Sequence, residues 1–568
     1  MDLLPAAVPN SCHGTLPSVR RRVIAIGLDS GDPTLISRYI ASGVMPRIGR
    51  LRERGLLAVF SNRAYYEGGV GPQSITEGCW VEFQTGIRSN RTGYWTSAVY
   101  DPANYYASSN PFSGSYDYRA FPPFFALGAD FRVAAFDVPI SSLSDGVNGI
   151  QVLGWGGHYP FVTRTSSPNG LLEAICERYG INPLLYRDSG VFWNRKYLRW
   201  LESASIESIR TRTRICLDLM SREPWDLMLA VFGESHGASH DLWFAAHEDH
   251  PAHACWNNPH DPLAEVFRAI DDAVGAIAER VPDDCYFVLF SPQGSGPNVV
   301  DVAAFFLMPE LLYRFNFPGG VGFAAGDSNV PPPPPILSGL HRTWHGEIWR
   351  RRHTLGKFRR LINELLPPWF VTEHGEDFRY PYFLDRVGAE CGWMPSVWYR
   401  PSWPRMRSFS LPAFADGHVR INLRGRDPSG IVDPSEYEVE CDRVTEFLLQ
   451  VRNSRTGRQF IREIFRTRRS PSDDDKCRPD ADLVAIFQDE PVDVVDSPQV
   501  GRVGPVPFYR TGGHSSHGFV IATGPGIKPG NTLSDLEVVD LGPTILEMLG
   551  ARVPEHLDGR SWLAAAQL

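Results

Sequence analysis

Short apolar runs rich in β-branched residues recur along the chain. They are Arg22-Val-Ile-Ala-Ile-Gly-Leu-Asp29, Phe131 to Asp137, Leu227 to Phe232, Tyr286 to Phe290, Leu483 to Phe487 and Gly518 to Ala522. Without polar alternation, such runs read as strands buried on both faces. Helical patterns lie between several of them. Asp32-Pro33 opens one that Gly43 to Pro46 breaks, and others cover Pro262 to Arg280 and Val538 to Leu549. The alternation predicts an α/β fold with three layers, a mainly parallel central sheet and helices on both faces. Sheets of this kind bind ligands beyond the carboxyl ends of their strands. Polar residues follow three of the runs directly: Asp29, then Gly233-Glu-Ser-His236, then Ser291-Pro-Gln-Gly294. A shared site at one sheet edge is the expectation, although polar loops alone would give the same pattern.

Composition narrows the class. With 568 residues the chain exceeds one small domain, and 43% apolar with 21% charged residues is ordinary for a globular protein. A net charge of −9 argues against nucleic acid as the main partner. No apolar run is long enough for a membrane span, and residues 1–20 read as a flexible leader without the core of a signal peptide. The nine cysteines form no CxxC pair, and the odd count opposes a fully paired disulfide framework, so a cytoplasmic location is expected. Pro331 to Pro335 is a stiff, extended tract. Arg350 to Arg352 with Lys357, Arg359 and Arg360 make a basic helical stretch, which suits a solvated face paired with acidic neighbours or, in the sharper reading, an anion-attracting rim. Residues 310–405 are read as an inserted cap or lid, dividing a core into a first part, 21–309, and a second, 406–568.

Sixteen histidines become notable because six fall between His236 and His260. His236 and His240 are four apart, a spacing that lets two imidazoles share a metal from one helix face and that equally suits two surface residues. His247, His250, His253 and His260 continue through a polar loop and read as exposed loop histidines. Thr511-Gly-Gly-His514-Ser-Ser-His517-Gly518 precedes an apparent strand, and its glycines allow the backbone to aim a histidine into a site. Thr76 stands before a helical stretch, where a threonine is ordinarily an N-cap.

Taken together these segments resemble the alkaline phosphatase superfamily, in its type I phosphodiesterase/nucleotide pyrophosphatase branch. The resemblance is carried by IGLDSGDPTLI with GVMPRIGRLRERG, by TEGCWVEFQTGIRSNRTGYW, and by VFGESHGASHDLW. RINLRGRDPSG and GGHSSHGFVIATGPGIKPG with VVDLGPTILEMLGARVPEHLDGR complete it. It implies an alkaline-phosphatase-like core with Thr76 as nucleophile, and His236, His240 and His514 as ligands of a zinc-type ion. Asp29 would serve a second ion or orient Thr76. The family's S-D-H-G turn, which supplies two ligands of that second ion, reads Ser291-Pro292-Gln293-Gly294 here. Proline offers no donor and glutamine only an amide, so one Zn2+ is expected, with the second weak or absent. Gln293, Arg424 and Arg426 are candidate substrate contacts. The implied function is metal-dependent hydrolysis, or group transfer, of a small-molecule phosphate ester or phosphodiester. The alternative is an impaired protein of the same fold that serves as a binding or accessory protein.

Overall fold

The computed structural model of the chain describes residues 21–108, 116–156, 164–185, 190–340, 343–352, 378, 391–414 and 416–567. The expected leader, most of the second half of the expected insertion, and Lys357, Arg359 and Arg360 lie outside them.

Nine strands form the main sheet: β1 (Val23–Leu28), β2 (Leu56–Phe60), β3 (Gly128–Phe136), β4 (Val147–Leu153), β5 (Thr165–Ser167), β6 (Leu227–Phe232), β7 (Tyr286–Ser291), β8 (Phe519–Thr523) and β9 (Thr532–Leu536). Their order is β9-β2-β8-β7-β1-β6-β3-β4-β5. The centre, β7-β1-β6-β3-β4, is parallel throughout, whereas β8 runs antiparallel to both β7 and β2. The apolar runs explain the centre: every residue of β1, β6 and β7 is buried. Alternate β1 residues enter two different cores. Ile24, Ile26 and Leu28 pack with α1 (Pro33–Ala41) and with three later helices on the same face. Val23 and Ala25 pack with α2 (Thr76–Thr85) on the other face. The three later helices are α3 (Arg195–Arg222), α4 (Glu234–Ala246) and α5 (Pro262–Ala278), and α6 (Leu541–Leu549) lies on the α2 side. The protein is a three-layer α/β fold with a mainly parallel sheet between helices.

The run at Leu483–Phe487 corrects the expectation that it belongs with the others. It pairs antiparallel with Gly417–Ile421 and Ile461–Arg466 in a separate four-stranded sheet. A buried apolar run reports burial on two faces, not which sheet provides them. This second sheet shares a hydrophobic core with Ala98, Tyr100, Tyr105 and Ala107 and with residues on both sides of position 405, from Val302 to Val506. Among the described residues, no helix is long and apolar enough to cross a membrane, and all eight cysteines are free thiols.

Candidate metal and active site

Strand direction assembles the site. β6, β1 and β7 are parallel neighbours, so Gly233-Glu234, Asp29-Ser30 and Pro292-Gln293 leave the sheet at one edge. β8 is antiparallel, with Phe519 opposite Ser291, so its amino end arrives at that same edge. The preceding strand Gly512–Ser515 pairs with Gly294–Pro297 and sets His514 opposite Ser295. This brings His236, His240 and His514 together, with ligand atoms within 4.8 Å of one another. They are the one group of three or more metal-binding side chains found among the described residues.

Each imidazole is fixed through Nδ1. His236 Nδ1 lies 2.8 Å from Asp29 Oδ2, His240 Nδ1 lies 2.7 Å from the Gly512 carbonyl, and His514 Nδ1 lies 3.1 Å from Ser30 Oγ. Carboxylate and carbonyl accept only, so the first two rings carry their proton on Nδ1 and turn an Nε2 lone pair inward. Those two Nε2 atoms approach to 2.7 Å. Two bare lone pairs repel at that distance, so they must share a proton or a metal cation. With Nδ1–H of His514 given to Ser30, three Nε2 donors and three outer partners match a zinc-type site that keeps a coordination position open. Ion bonds of about 2.0–2.1 Å would part the close pair by some tenths of an ångström. Gly512 is required for this closeness: a Cβ there would stand 2.0 Å from the Ser239 carbonyl on α4.

Asp29 sits behind this group rather than beside it. Its Oδ1 receives Trp80 Nε1–H at 2.9 Å and Gln293 Nε2–H at 3.1 Å, while Oδ2 serves His236. Gln293 is fully buried, and its amide also donates to Ser30 Oγ at 3.2 Å. The amide hydrogens of Gln293 therefore stand against the carboxylate where the family pattern would place a cation. Glu234, at the head of the helix that carries His236 and His240, turns away from them and is bound by Arg212 on the α3 side.

Thr76 opens α2 as its first helical residue, one position inside the N-cap, Ile75. It therefore does not fill the capping role, and its buried Oγ1 has no hydrogen-bond partner. Trp80 follows one turn later on the same face and reaches Asp29, which aligns the head of α2 with the site. The neighbouring Glu77 carboxyl is raised above its ordinary value by burial, an effect opposed by the Ser97 hydroxyl and by the charge of Arg510. Arg510 is the residue the sequence reading missed. It lines a pocket with Ser74, His240, Asp301 and His514, holds Asp301 at 2.9 Å, and stands four residues before His514 on the same segment. That proximity was its only sequence signal, and arginines are common. The pocket is narrow, about 10 Å³, which is room for one water molecule.

Arg424 and Arg426 lie elsewhere. Arg426 is bound to Asp482 at 2.6 Å and 2.7 Å and to Asp427, while the exposed Arg424 pairs with Asp433, and neither lines this pocket. Of the four remaining clustered histidines His260 is exposed, as expected, whereas His247, His250 and His253 are less so. His247 stacks on Trp243 with centroids 3.8 Å apart, and His250 is buried, with Nδ1 accepting from the Ala252 amide. His253 meets the Phe244 carbonyl and His260 meets Glu202. They hold the loop after α4 in place.

No family model matches the chain, and no curated protein matches it. Among solved structures it is similar to phosphonoacetate hydrolase from Sinorhizobium meliloti 1021 in complex with phosphonoformate. That match has 12% identity and a TM-score of 0.44, and covers 94% of this chain and 97% of that one. It is also similar to human ectonucleotide pyrophosphatase/phosphodiesterase 5, at 10% identity and a TM-score of 0.41, covering 96% of this chain and 99% of that one. The murine protein of the same name gives 9% identity and a TM-score of 0.43.

Proposed function

We propose that the protein is a hydrolase, or group transferase, of a small phosphate ester, working with one zinc-type ion and Thr76 as nucleophile. The observation that carries this reading is the 2.7 Å approach of the His236 and His240 Nε2 atoms, with both Nδ1 positions committed outward. His236, His240 and His514 would hold the ion, which would supply Lewis-acid polarisation of a phosphoryl oxygen. Asp29 fixes the tautomer of His236 and is not needed as a ligand of a second ion. Thr76 Oγ bonds to phosphorus as the bond to the leaving oxygen breaks, the hydroxyl proton ending on the departing oxygen; water then cleaves the threonine O–P bond, releasing phosphate and restoring the threonine hydroxyl. The amino end of α2 favours negative charge developing on that oxygen. Arg510, held by Asp301, binds non-bridging phosphoryl oxygens. Free thiols support a cytoplasmic site of action.

Protein purified without chelator is expected to carry about one zinc per chain. It is also expected to turn over p-nitrophenyl phosphate or its diester, and to lose that activity on chelation. Absence of bound metal would sink the proposal. A second reading, a binding protein that kept the fold without the reaction, is favoured by the narrowness of the pocket. Zinc retained without turnover of any ester would select it.

Arg510→Lys retains a charge opposite Asp301 but loses the planar fork. It is expected to lower kcat/KM by about tenfold or more with zinc content unchanged. Steady-state kinetics beside metal analysis checks this, and unaltered kcat/KM removes Arg510 from the site.

A further inference from the structure

Two residues behind the three histidines are unexpected where they stand. Ser30 follows β1 with a backbone φ of +61°, in the left-handed region that a residue with a Cβ enters only at a cost. Glycine takes that conformation freely. Gln293 is a fully buried amide just beyond β7, set between a carboxylate and a hydroxyl.

The bend at Ser30 is clamped from both neighbouring strand ends. Ser295 Oγ–H donates to the Ser30 carbonyl at 2.5 Å, and Ser235 Oγ–H donates to the Asp29 carbonyl at 2.7 Å. The Gly31 amide donates to Ser291 Oγ at 2.8 Å. A strained backbone that its surroundings hold so firmly points to a use for the side chain. Ser30 Oγ meets His514 Nδ1 on one side and Gln293 Nε2 on the other. A hydroxyl oxygen has two lone pairs, so it can accept from both, which leaves His514 Nε2 free to bind an ion.

A primary amide nitrogen carries two hydrogens. Gln293 Nε2 gives one to Asp29 Oδ1 at 3.1 Å and one to Ser30 Oγ at 3.2 Å. The reversed amide would press its carbonyl oxygen against the Asp29 carboxylate, so charge decides the orientation. Gln293 Oε1 is buried and makes no hydrogen bond, so hydrogen bonding orients this side chain through its nitrogen. Asp29 in turn holds His236, and Ser30 holds His514. One amide nitrogen thus reaches the outer partners of two of the three ligands, while His240 depends on the Gly512 carbonyl.

We infer that Gln293 and Ser30 are positioning residues of the metal site. The Gln293 amide ties the Asp29 carboxylate to the Ser30 hydroxyl and, through them, sets His236 and His514 so that their Nε2 atoms converge. The inference rests on the zinc-site reading above and adds that the strained serine is kept for metal affinity rather than for folding.

Zinc affinity of the full-length protein, read by competition with a chelator, tests it beside thermal unfolding of the zinc-free form. Gln293→Met keeps the side chain's length and removes both hydrogens, while Ser30→Gly removes the hydroxyl and suits the left-handed backbone. Each is expected to weaken zinc binding about 10- to 100-fold. The Tm of zinc-free Ser30→Gly should stay within about 3 °C of the parent's, because relief of the backbone offsets the lost hydrogen bonds. The double variant should weaken binding by less than the product of the single effects, since both act through linked bonds. The inference is overturned if Ser30→Gly binds zinc within about threefold of the parent, or if the double variant shows the full product. A parent that binds no zinc removes the zinc-site reading itself, and this inference with it.

Discussion

Thr76→Ala is expected to lower phosphoester turnover by roughly 10³-fold or more while leaving bound zinc intact. Alanine loses the hydroxyl, which has no hydrogen-bond partner, and the buried γ-methyl, so the fold gives up only a small apolar contact. Tm should therefore stay level or fall slightly. His240→Ala is the complement: it removes one of three converging nitrogens, so zinc and turnover should fall together. The crossed pattern is what matters. If Thr76→Ala keeps its turnover, the threonine is not the nucleophile, whatever the metal content. If His240→Ala keeps its zinc, the three imidazoles are not the ion's ligands. Metal analysis and initial rates on the same preparations give both answers.

The largest stability effect is expected at Arg212, far from any exposed surface. Its guanidinium is 1% exposed and lies between Asp137 at 2.7 Å and Glu234 at 2.9 Å, with a further bond to the Gly156 carbonyl at 2.7 Å. Arg212→Met removes the cation and leaves two carboxylates buried without compensation. Such a loss costs about 3–5 kcal/mol, which thermal or urea unfolding will read as a lower Tm or midpoint. Adding Asp137→Asn and Glu234→Gln removes the stranded charges and should recover most of that loss. Failure of the triple variant to recover would mean that packing, not charge, is the source. Because Glu234 opens α4, the helix bearing His236 and His240, the single variant should also weaken zinc binding.

How much of this was legible beforehand follows from the range of each signal. The strand runs were readable because burial on both faces leaves no alternation to confuse them. His236 and His240 were readable as a pair because four residues is a local, helical distance. The approach of His514 depends on β8 running against its neighbours, which no residue of Gly518 to Ala522 announces. Asp29 was recognisable as a site residue, but which neighbour its oxygens would meet depends on how Trp80 and Gln293 pack against it. Arg510 and the arginines of RINLRGRDPSG show the same limit from opposite sides. A guanidinium looks alike in sequence whether it faces a pocket, as at Arg510, or is locked onto a carboxylate, as Arg426 is onto Asp482. The second sheet was missed for a related reason, since Leu483 to Phe487 has the signature of a core strand and is one, in another core.

The position of β8 bears on how the chain must be synthesised. β2 leaves the ribosome early, yet its two sheet partners are β8 and β9, the last strands to emerge. The same late arrival closes the open side of β7. Until residue 523 is out, the growing chain carries two apolar strands with unsatisfied backbone edges, the kind of surface that recruits other chains. Native order therefore comes only after translation nears its end, and a product cut short before Gly512 would lack both His514 and the strand that joins β2 to β7. The late event is the arrival of β8 between β2 and β7, with β9 following on the outer side of β2.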